Sequence, residues 1–311
     1  MGDKRLKVRA TATVANVSCG FDCIGYSIGS PADILTLEIQ DKPGLELTIS
    51  GEKSGTIPLE AEDNTAGKAI LSLLNSLDRD TGFRIHIEKG IPPGSGLGSS
   101  AASAVAGVVG VNELLGNPME ENELLVHCMA GETASAPTEH ADNVAPSLMG
   151  GIVLIRSYEP LEVLKLNVPD NLYSTVVLPD YSVNTRDARN ILPKTVPLKS
   201  AITQSGNLAG FILGLENEDF DLLGRSMVDL FAEPVRKKLI PGFESVRQAA
   251  LDSGAIGCGI SGSGPTLFAL SSSEEDASKI GKSMVEAFLK KGLKSRAYSS
   301  LINNQPAKIL D

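Results

Sequence analysis

The feature that most limits the folds open to this chain is the stretch Pro92-Pro93-Gly94-Ser95-Gly96-Leu97-Gly98-Ser99-Ser100-Ala101-Ala102-Ser103-Ala104. Three alternate glycines run into two serines and then into a series of small residues. Glycine has no Cβ and reaches backbone conformations closed to other residues, so successive N–H groups can turn toward one point. A helix beginning near Ser99 adds its unpaired first-turn N–H groups and the positive end of its dipole. The segment therefore reads as an anion cradle that suits a polyphosphate. It is not a P-loop, which needs G-x-x-x-x-G-K-[ST]. No lysine stands here, so phosphate charge has to be met by backbone dipoles, a metal and residues from elsewhere. The plainer alternative is a Gly/Ser turn that happens to cap a helix. The Pro-Pro lead-in and the double serine favour phosphate.

The flanks agree with a strand, loop and helix. Phe83, Ile85 and Ile87 alternate with Arg84, His86 and Glu88, the pattern of a strand with His86 facing outward. Ser100 to Leu115 is rich in Ala, Gly and Val, which permits close packing on a sheet, and Gly116 stops it. Upstream, Leu6, Val8 and Ala10 alternate with polar residues, and Ile34 to Gln40 and Leu45 to Ser50 read as further strands. Asn64 caps a helix whose Ala66, Ala69, Ile70, Leu73, Leu74 and Leu77 fall on one face. A second helix is expected from Asn117 as cap and Pro118 at its first position to about Gly131. Glu132 to Pro146 is polar and turn-rich, before strands at Ile152 to Ile155 and Leu164 to Val168.

Beyond a boundary near Pro169 to Ser174 the pattern changes. A strand at Ser174 to Leu178 leads to helical periodicity over Ile202 to Leu215, Phe220 to Phe231 and Phe243 to Asp252. A second glycine-rich loop at Gly254 to Pro265 precedes the strand Thr266 to Leu270, a helix from Glu274 to Lys291 and a last strand near Arg296 to Leu301. This is α+β material in two domains, 1–170 and 171–311, which suits 311 residues at about 150 per domain. Two domains make a cleft.

Charge and composition narrow the function. A formal net charge of −10, with no basic run longer than Arg236-Lys237-Lys238, argues against a nucleic-acid partner. Cys19, Cys23, Cys128 and Cys258 lack the spacing of a zinc site and read as reduced thiols. No signal-peptide core and no membrane-spanning run is present, so no membrane partner is expected and the cytoplasm is the default.

Several clusters could carry chemistry. Gly257-Cys258-Gly259-Ile260-Ser261-Gly262 satisfies G-x-G-x-x-G, but a dinucleotide loop follows a strand and opens a helix, whereas here an apolar strand follows. A tight loop approaching a ligand or the other glycine loop is the better reading. Glu132 with the Ser100 hydroxyl suits Mg²⁺, which takes few protein ligands and keeps several waters; a solvated glutamate is the plain alternative. His140-Ala141-Asp142-Asn143 could orient a hydroxyl or form an Asx-rich turn. Arg189 and Arg236 could clamp a carboxylate bidentately or make surface ion pairs.

Three segments taken together resemble the GHMP superfamily of small-molecule kinases, which includes galactokinase, homoserine kinase, mevalonate kinase and phosphomevalonate kinase. They are Ala12 to Asp22, Pro93 to Ala102, and Gly257 to Pro265 with its Ile260-Ser261-Gly262-Ser263-Gly264-Pro265 core. Within it the chain looks most like the homoserine kinase branch. The first segment is A-x-x-A-N-x-x-x-G-F-D, and Ala15 stands where the mevalonate and sugar branches usually carry lysine or arginine. His140 to Pro146, Thr185 to Pro193 and Arg236 agree as well. The departure is Ser18-Cys19, where the family more often has Gly-Pro; Gly20 remains, and the loop is expected to keep its course.

The resemblance implies a two-domain GHMP kinase fold. Its N-terminal domain would be like domain 2 of ribosomal protein S5, and its C-terminal domain a ferredoxin-like α/β sandwich. It implies ATP and Mg²⁺ as cofactors and L-homoserine as acceptor, phosphorylated on its side-chain hydroxyl. By the same resemblance Pro93, Gly94, Ser95, Gly96, Leu97, Gly98, Ser99 and Ser100, with Asn64 and Gly262, hold ATP, while Ser100 and Glu132 hold the metal. Asn16 and Asp22 would meet the amino group, Arg189 and Arg236 the carboxylate, and His140 and Asn143 the hydroxyl, with Asp142 a candidate base. Another kinase of the superfamily, acting on mevalonate or a sugar, and a non-catalytic ligand-binding relative remain open. A homodimer is compatible with the sequence, which does not fix the oligomer.

Overall fold

The structure, a computed structural model, describes residues 5–134 and 140–310. The first half runs β1 (Arg5–Ala15), β2 (Ile24–Gln40), β3 (Leu45–Gly51), α1 (Thr65–Ser76), β4 (Gly82–Lys89), α2 (Ser99–Leu114), α3 (Glu121–Glu132), α4 (Val144–Met149), β5 (Ile152–Tyr158) and β6 (Leu161–Leu166). The second runs β7 (Tyr173–Pro179), α5 (Thr185–Asn190), α6 (Leu198–Glu216), α7 (Phe220–Ser226), α8 (Glu233–Arg236), α9 (Phe243–Asp252), β8 (Gly257–Ile260), β9 (Leu267–Ser271), α10 (Glu274–Lys290), β10 (Ser295–Leu301) and β11 (Lys308–Leu310).

The first sheet has the order β11-β1-β2-β4-β3, with β5 pairing β2 and β6 pairing β5. β3 and β4 pair in parallel through the α1 crossover, and the other pairs are antiparallel. Inward residues of β1, Val8, Ala10, Ala12 and Val14, are fully buried, as the alternation requires. α2 is buried on nearly every side, and its Ala and Gly residues let it lie between Leu37 of β2 and Ile70 of α1. α1 buries Ala66, Ala69, Ile70, Leu73 and Leu74 on the expected face, and full burial of Ile70 and Leu73 contributes about 1.5–3 kcal/mol each.

The second sheet has the order β10-β7-β9-β8 and is antiparallel throughout, with α9 and α10 packed on it. Val177, Phe243, Leu267, Met284 and Phe288 form the core between them. The other core cluster is not confined to the first sheet: Leu172, Val176, Phe211 and Phe268 join it. The expected division at 170 falls between β6 and β7, that is between the two sheets. β11 lies beyond it and yet pairs with β1, Val8 opposite Ile309.

Three expectations shift at the ends of elements. α3 starts at Glu121 rather than after Asn117, because Asn117 is left-handed and Glu120 and Glu123 form a reciprocal capping box. The helical pattern Phe220 to Phe231 stops at Ser226. The Asp229 carboxylate accepts the backbone N–H groups of Phe231, Ala232 and Glu233 at 2.7–3.2 Å, folding the chain into the turn that begins α8. Gly257 to Ile260 is a strand, so the second glycine-rich loop shrinks to 261–265. It joins the antiparallel pair β8 and β9, a topology that leaves no helix for a dinucleotide loop to open.

Candidate active site

The three glycine-bearing segments converge. Ser261 Oγ donates to Gly96 O at 2.6 Å, and Thr266 donates to Ser95 O through its hydroxyl at 2.7 Å and its N–H at 3.3 Å. Asn16 Nδ2 donates to Gly262 O at 2.9 Å, and Gly262 N to Ala15 O at 3.1 Å. Gly96 and Gly98 have to be glycine. Both have positive φ, at 78° and 66°; a Cβ would lie 2.6 Å from Ser261 O at the first and 2.0 Å from Thr13 Oγ1 at the second. Gly98 is the N-cap of α2, and among the described residues no side chain caps that helix, so its first-turn N–H groups and its dipole are directed at the cleft.

That cleft encloses about 410 Å³ and is lined by every sequence-expected site residue except Leu97. Leu97 is fully buried and takes part through its carbonyl, which accepts the Thr13 N–H at 3.1 Å. Ser99 Oγ donates to Ile91 O at 2.7 Å, which leaves its backbone as the part available to a phosphate. Asn64 is likewise engaged. Its Oδ1 accepts from Ala66 N and Gly67 N, and its Nδ2 donates to Pro58 O, so it caps α1 and shapes the wall where Ile49, Ile57 and Ile87 form an apolar end.

At the start of α2, Ser100 Oγ donates to Glu132 Oε2 at 3.0 Å. Glu132 is the last residue of α3, and although the residue keeps some exposed surface its carboxyl is inside the protein, where burial pushes its pKa up to about 7. These are hard oxygen donors of the kind that Mg²⁺ takes.

The other end of the cleft is charged. α5, capped by Asn184, presents Arg189, whose Nη1 donates to both oxygens of Asp22 at 3.0 and 2.7 Å. The two groups expected to meet opposite ends of one ligand here meet each other. α8 presents Arg236, 5% exposed, which donates to Gly262 O at 2.9 Å and Ala188 O at 3.3 Å. Both guanidinium groups lie over the Phe21 ring, at 5.6 Å for Arg189 and 5.3 Å for Arg236.

Burial pushes Asp142 up to about 7, with the charges of Asp22 and Glu132 adding to it, and holds His140 below its ordinary value. Asn143 Oδ1 accepts the Thr13 hydroxyl at 2.7 Å, which turns the amide NH₂ away from Thr13. Residues 135–139, part of the polar, turn-rich stretch read from the sequence, lie outside the described residues. The first-segment loop passes through a left-handed turn, with φ of 71°, 40° and 56° at Asn16, Val17 and Ser18.

Sequence reasoning missed Thr13, Phe21 and Tyr158. Tyr158 Oη donates to Asp22 O at 3.1 Å and accepts from Ala141 N at 3.3 Å, tying the two acceptor-side segments together. Phe21 had a signal, its place beside Asp22, and Thr13 lay in the first segment without a role of its own; Tyr158, between the expected strands Ile152 to Ile155 and Leu164 to Val168, had none.

Two family models match, the GHMP kinases N terminal domain over residues 64–151 and the GHMP kinases C terminal domain over residues 211–291. Homoserine kinase of Chlorobium phaeobacteroides (strain BS1) is 44% identical over 97% of this chain and 98% of its own length. The chain belongs to the homoserine kinase branch of the GHMP kinases. Homoserine kinase of Methanococcus vannielii is 42% identical over 87% of this kinase and 89% of its own length. The crystal structure of homoserine kinase from Cytophaga hutchinsonii superposes with a TM-score of 0.97 at 50% identity, covering 100% of this chain and 98% of that one. The mevalonate kinase of L. major, solved in complex with R-mevalonate, shares the fold at a TM-score of 0.74 and 18% identity, over 97% of this kinase and 98% of that chain. Among the described residues no helix is long and apolar enough to cross a membrane.

Proposed function

We propose that this kinase transfers the terminal phosphoryl group of ATP to the side-chain hydroxyl of L-homoserine, giving O-phospho-L-homoserine and ADP. The observation that carries the reading is one cleft with the uncapped N-terminus of α2 at one side and a pocket of both charge signs, Asp22 with Arg189 and Arg236, at the other. At neutral pH homoserine carries an ammonium and a carboxylate, and such a pocket answers both. Mevalonate and sugars have no ammonium for Asp22 to meet.

Phosphoryl transfer asks the protein mainly for positioning and charge stabilisation. The backbone from Gly94 to Ser100 holds the β- and γ-phosphates against the helix dipole. Ser100 and Glu132 would hold Mg²⁺, which when bound offsets charge on the phosphoryl group in transfer. Asp22 and Asn16 take the substrate ammonium, Arg236 and Arg189 its carboxylate, and Asn143 and His140 orient the hydroxyl. The hydroxyl oxygen bonds to the γ-phosphorus as the bridging P–O bond to ADP breaks. Asp142, with its carboxyl at about 7, is the candidate recipient of the released proton.

The reading places a small-molecule enzyme in the cytoplasm, with no nucleic-acid or membrane partner, and a homodimer is compatible with it. A coupled ADP-release assay against homoserine, mevalonate, galactose and shikimate tests it. Turnover dependent on homoserine is expected, and faster turnover of mevalonate or galactose would overturn the assignment.

A further inference from the structure

Asp33 of β2 is fully buried in the sheet that carries the phosphate loop, and nothing in the chemistry above uses it. Its Oδ1 accepts the N–H groups of Gly90 and Ile91, both at 3.0 Å, on the stem that leads into the loop. Its Oδ2 pairs with the Lys89 ammonium and accepts the Ser103 hydroxyl at 2.8 Å, on the stem that leaves it. Lys89 Nζ donates further to Ser103 Oγ and to Ser99 O, both at 2.8 Å, and Ser99 Oγ returns to Ile91 O at 2.7 Å. The strand before the loop and the helix after it therefore meet on one carboxylate and one ammonium.

A buried ion pair is a poor source of net stability, since desolvating both charges offsets most of their attraction, and an apolar pair of like volume often does as well. What this pair supplies is direction. An apolar pair could fill the volume but would fix neither the two N–H groups of one stem nor the hydroxyl and carbonyl of the other. The loop between, with positive φ at Gly94, Gly96 and Gly98, has little intrinsic preference for one shape, so its stems have to set it.

We propose that Asp33, acting through Lys89 and Ser103, is a positioning residue that clamps both stems of the phosphate loop and so sets the geometry in which ATP is held. The clamp rests on the reading of this loop as the nucleotide site, and the test separates the two. Ser103→Ala removes one cross-link and keeps a good helix former. Asp33→Asn combined with Lys89→Met removes both charges together, so neither is left buried alone. Gly96→Ala perturbs the loop itself.

Steady-state kinetics with each substrate varied should show the KM for ATP raised about tenfold or more in the first two variants, with the KM for homoserine within about twofold of wild type. Ser103→Thr, which keeps the hydroxyl, should recover ATP use, and the melting temperature of Ser103→Ala should stay near that of the wild type. The clamp is overturned if Ser103→Ala and the double variant leave the KM for ATP unchanged while Gly96→Ala raises it, or if they raise both constants equally. Should the double variant not fold, Ser103→Ala with its threonine rescue decides alone. If Gly96→Ala also leaves ATP use untouched, the nucleotide assignment of the loop fails, and the clamp with it.

Discussion

Replacing each of the two arginines by alanine should weaken homoserine binding unequally, and the geometry gives the order. Losing one partner of a desolvated charge-assisted pair costs about 2–5 kcal/mol. Arg236 is 5% exposed and its hydrogen bonds go to the carbonyls of Gly262 and Ala188, so among the described residues no carboxylate is hydrogen-bonded to it. A substrate carboxylate gains nearly the whole interaction there, about 3–4 kcal/mol, or on the order of 10²–10³-fold in KM. Arg189 Nη1 already donates to both oxygens of Asp22, and the two side chains are 34% and 28% exposed. Homoserine has to share or displace that pair, so only the difference is gained, about 1–2 kcal/mol or roughly 5–30-fold. The measurement is steady-state kinetics with homoserine and then ATP varied, the other substrate and Mg²⁺ saturating, alongside thermal melts to confirm folding. Arg236→Lys serves where Arg236→Ala is too unstable, since a point-charge ammonium cannot reproduce the planar fork. The reasoning is refuted if Arg189→Ala harms homoserine use as much as Arg236→Ala does, or if either shifts the KM for ATP equally.

Glu132→Gln and Ser100→Ala should each lower kcat by roughly 10²-fold or more with the fold intact; near-normal turnover of Glu132→Gln at limiting Mg²⁺ would remove the metal assignment. Burial raises the carboxyls of Glu132 and Asp142 to about 7 from ordinary values of 4.5 and 3.8, and Glu233 shifts the same way. Through these carboxyls the folded protein binds more protons than the unfolded chain across that window, so their contribution to ligand-free stability should fall as pH rises from about 5 to 7, opposed in part by His127 and His140, which burial holds below their ordinary value. Melting curves of Glu132→Gln combined with Asp142→Asn should show a shallower decline, and an unchanged slope would count against these shifts. Ser18 sits at φ 56° with its buried hydroxyl lacking a hydrogen-bond partner among the described residues. Ser18→Gly should therefore stabilise by about 1 kcal/mol, roughly 2 °C in Tm, and a lower Tm would contradict the strain argument.

What was legible in the sequence is what chemistry writes locally. The alternate glycines, the cap at Asn64 and the apolar face of α1 each depend on residues within a turn or two of one another, and each appears as the spacing requires. What was not legible depends on residues far apart. Asp22 and Arg189 are separated by 167 positions, and the family resemblance assigned them to opposite ends of a ligand rather than to each other. Asp33 reads as a polar interruption at the head of a strand until Gly90, Ile91 and Ser103 are brought to it. Thr13 gives no sign of its bond to Asn143, because the partner lies 130 residues on. The stop at Ser226 was hidden for another reason: periodicity records which face is apolar, not that a carboxylate at Asp229 has better partners in a turn than in a helix.

The pairing of Lys308–Leu310 with β1 bears on how the molecule is assembled. During synthesis the strands β1 to β6 are complete long before the residues that cover one edge of their sheet have been made. Until then β1 presents an open row of N–H and C=O groups, the template on which chains associate wrongly. The two sheets therefore do not mature one after the other: the first receives its outermost strand only after the second has been threaded. A chain cut between Leu301 and Lys308 should retain the catalytic cleft and yet aggregate during expression, a defect of assembly rather than of chemistry.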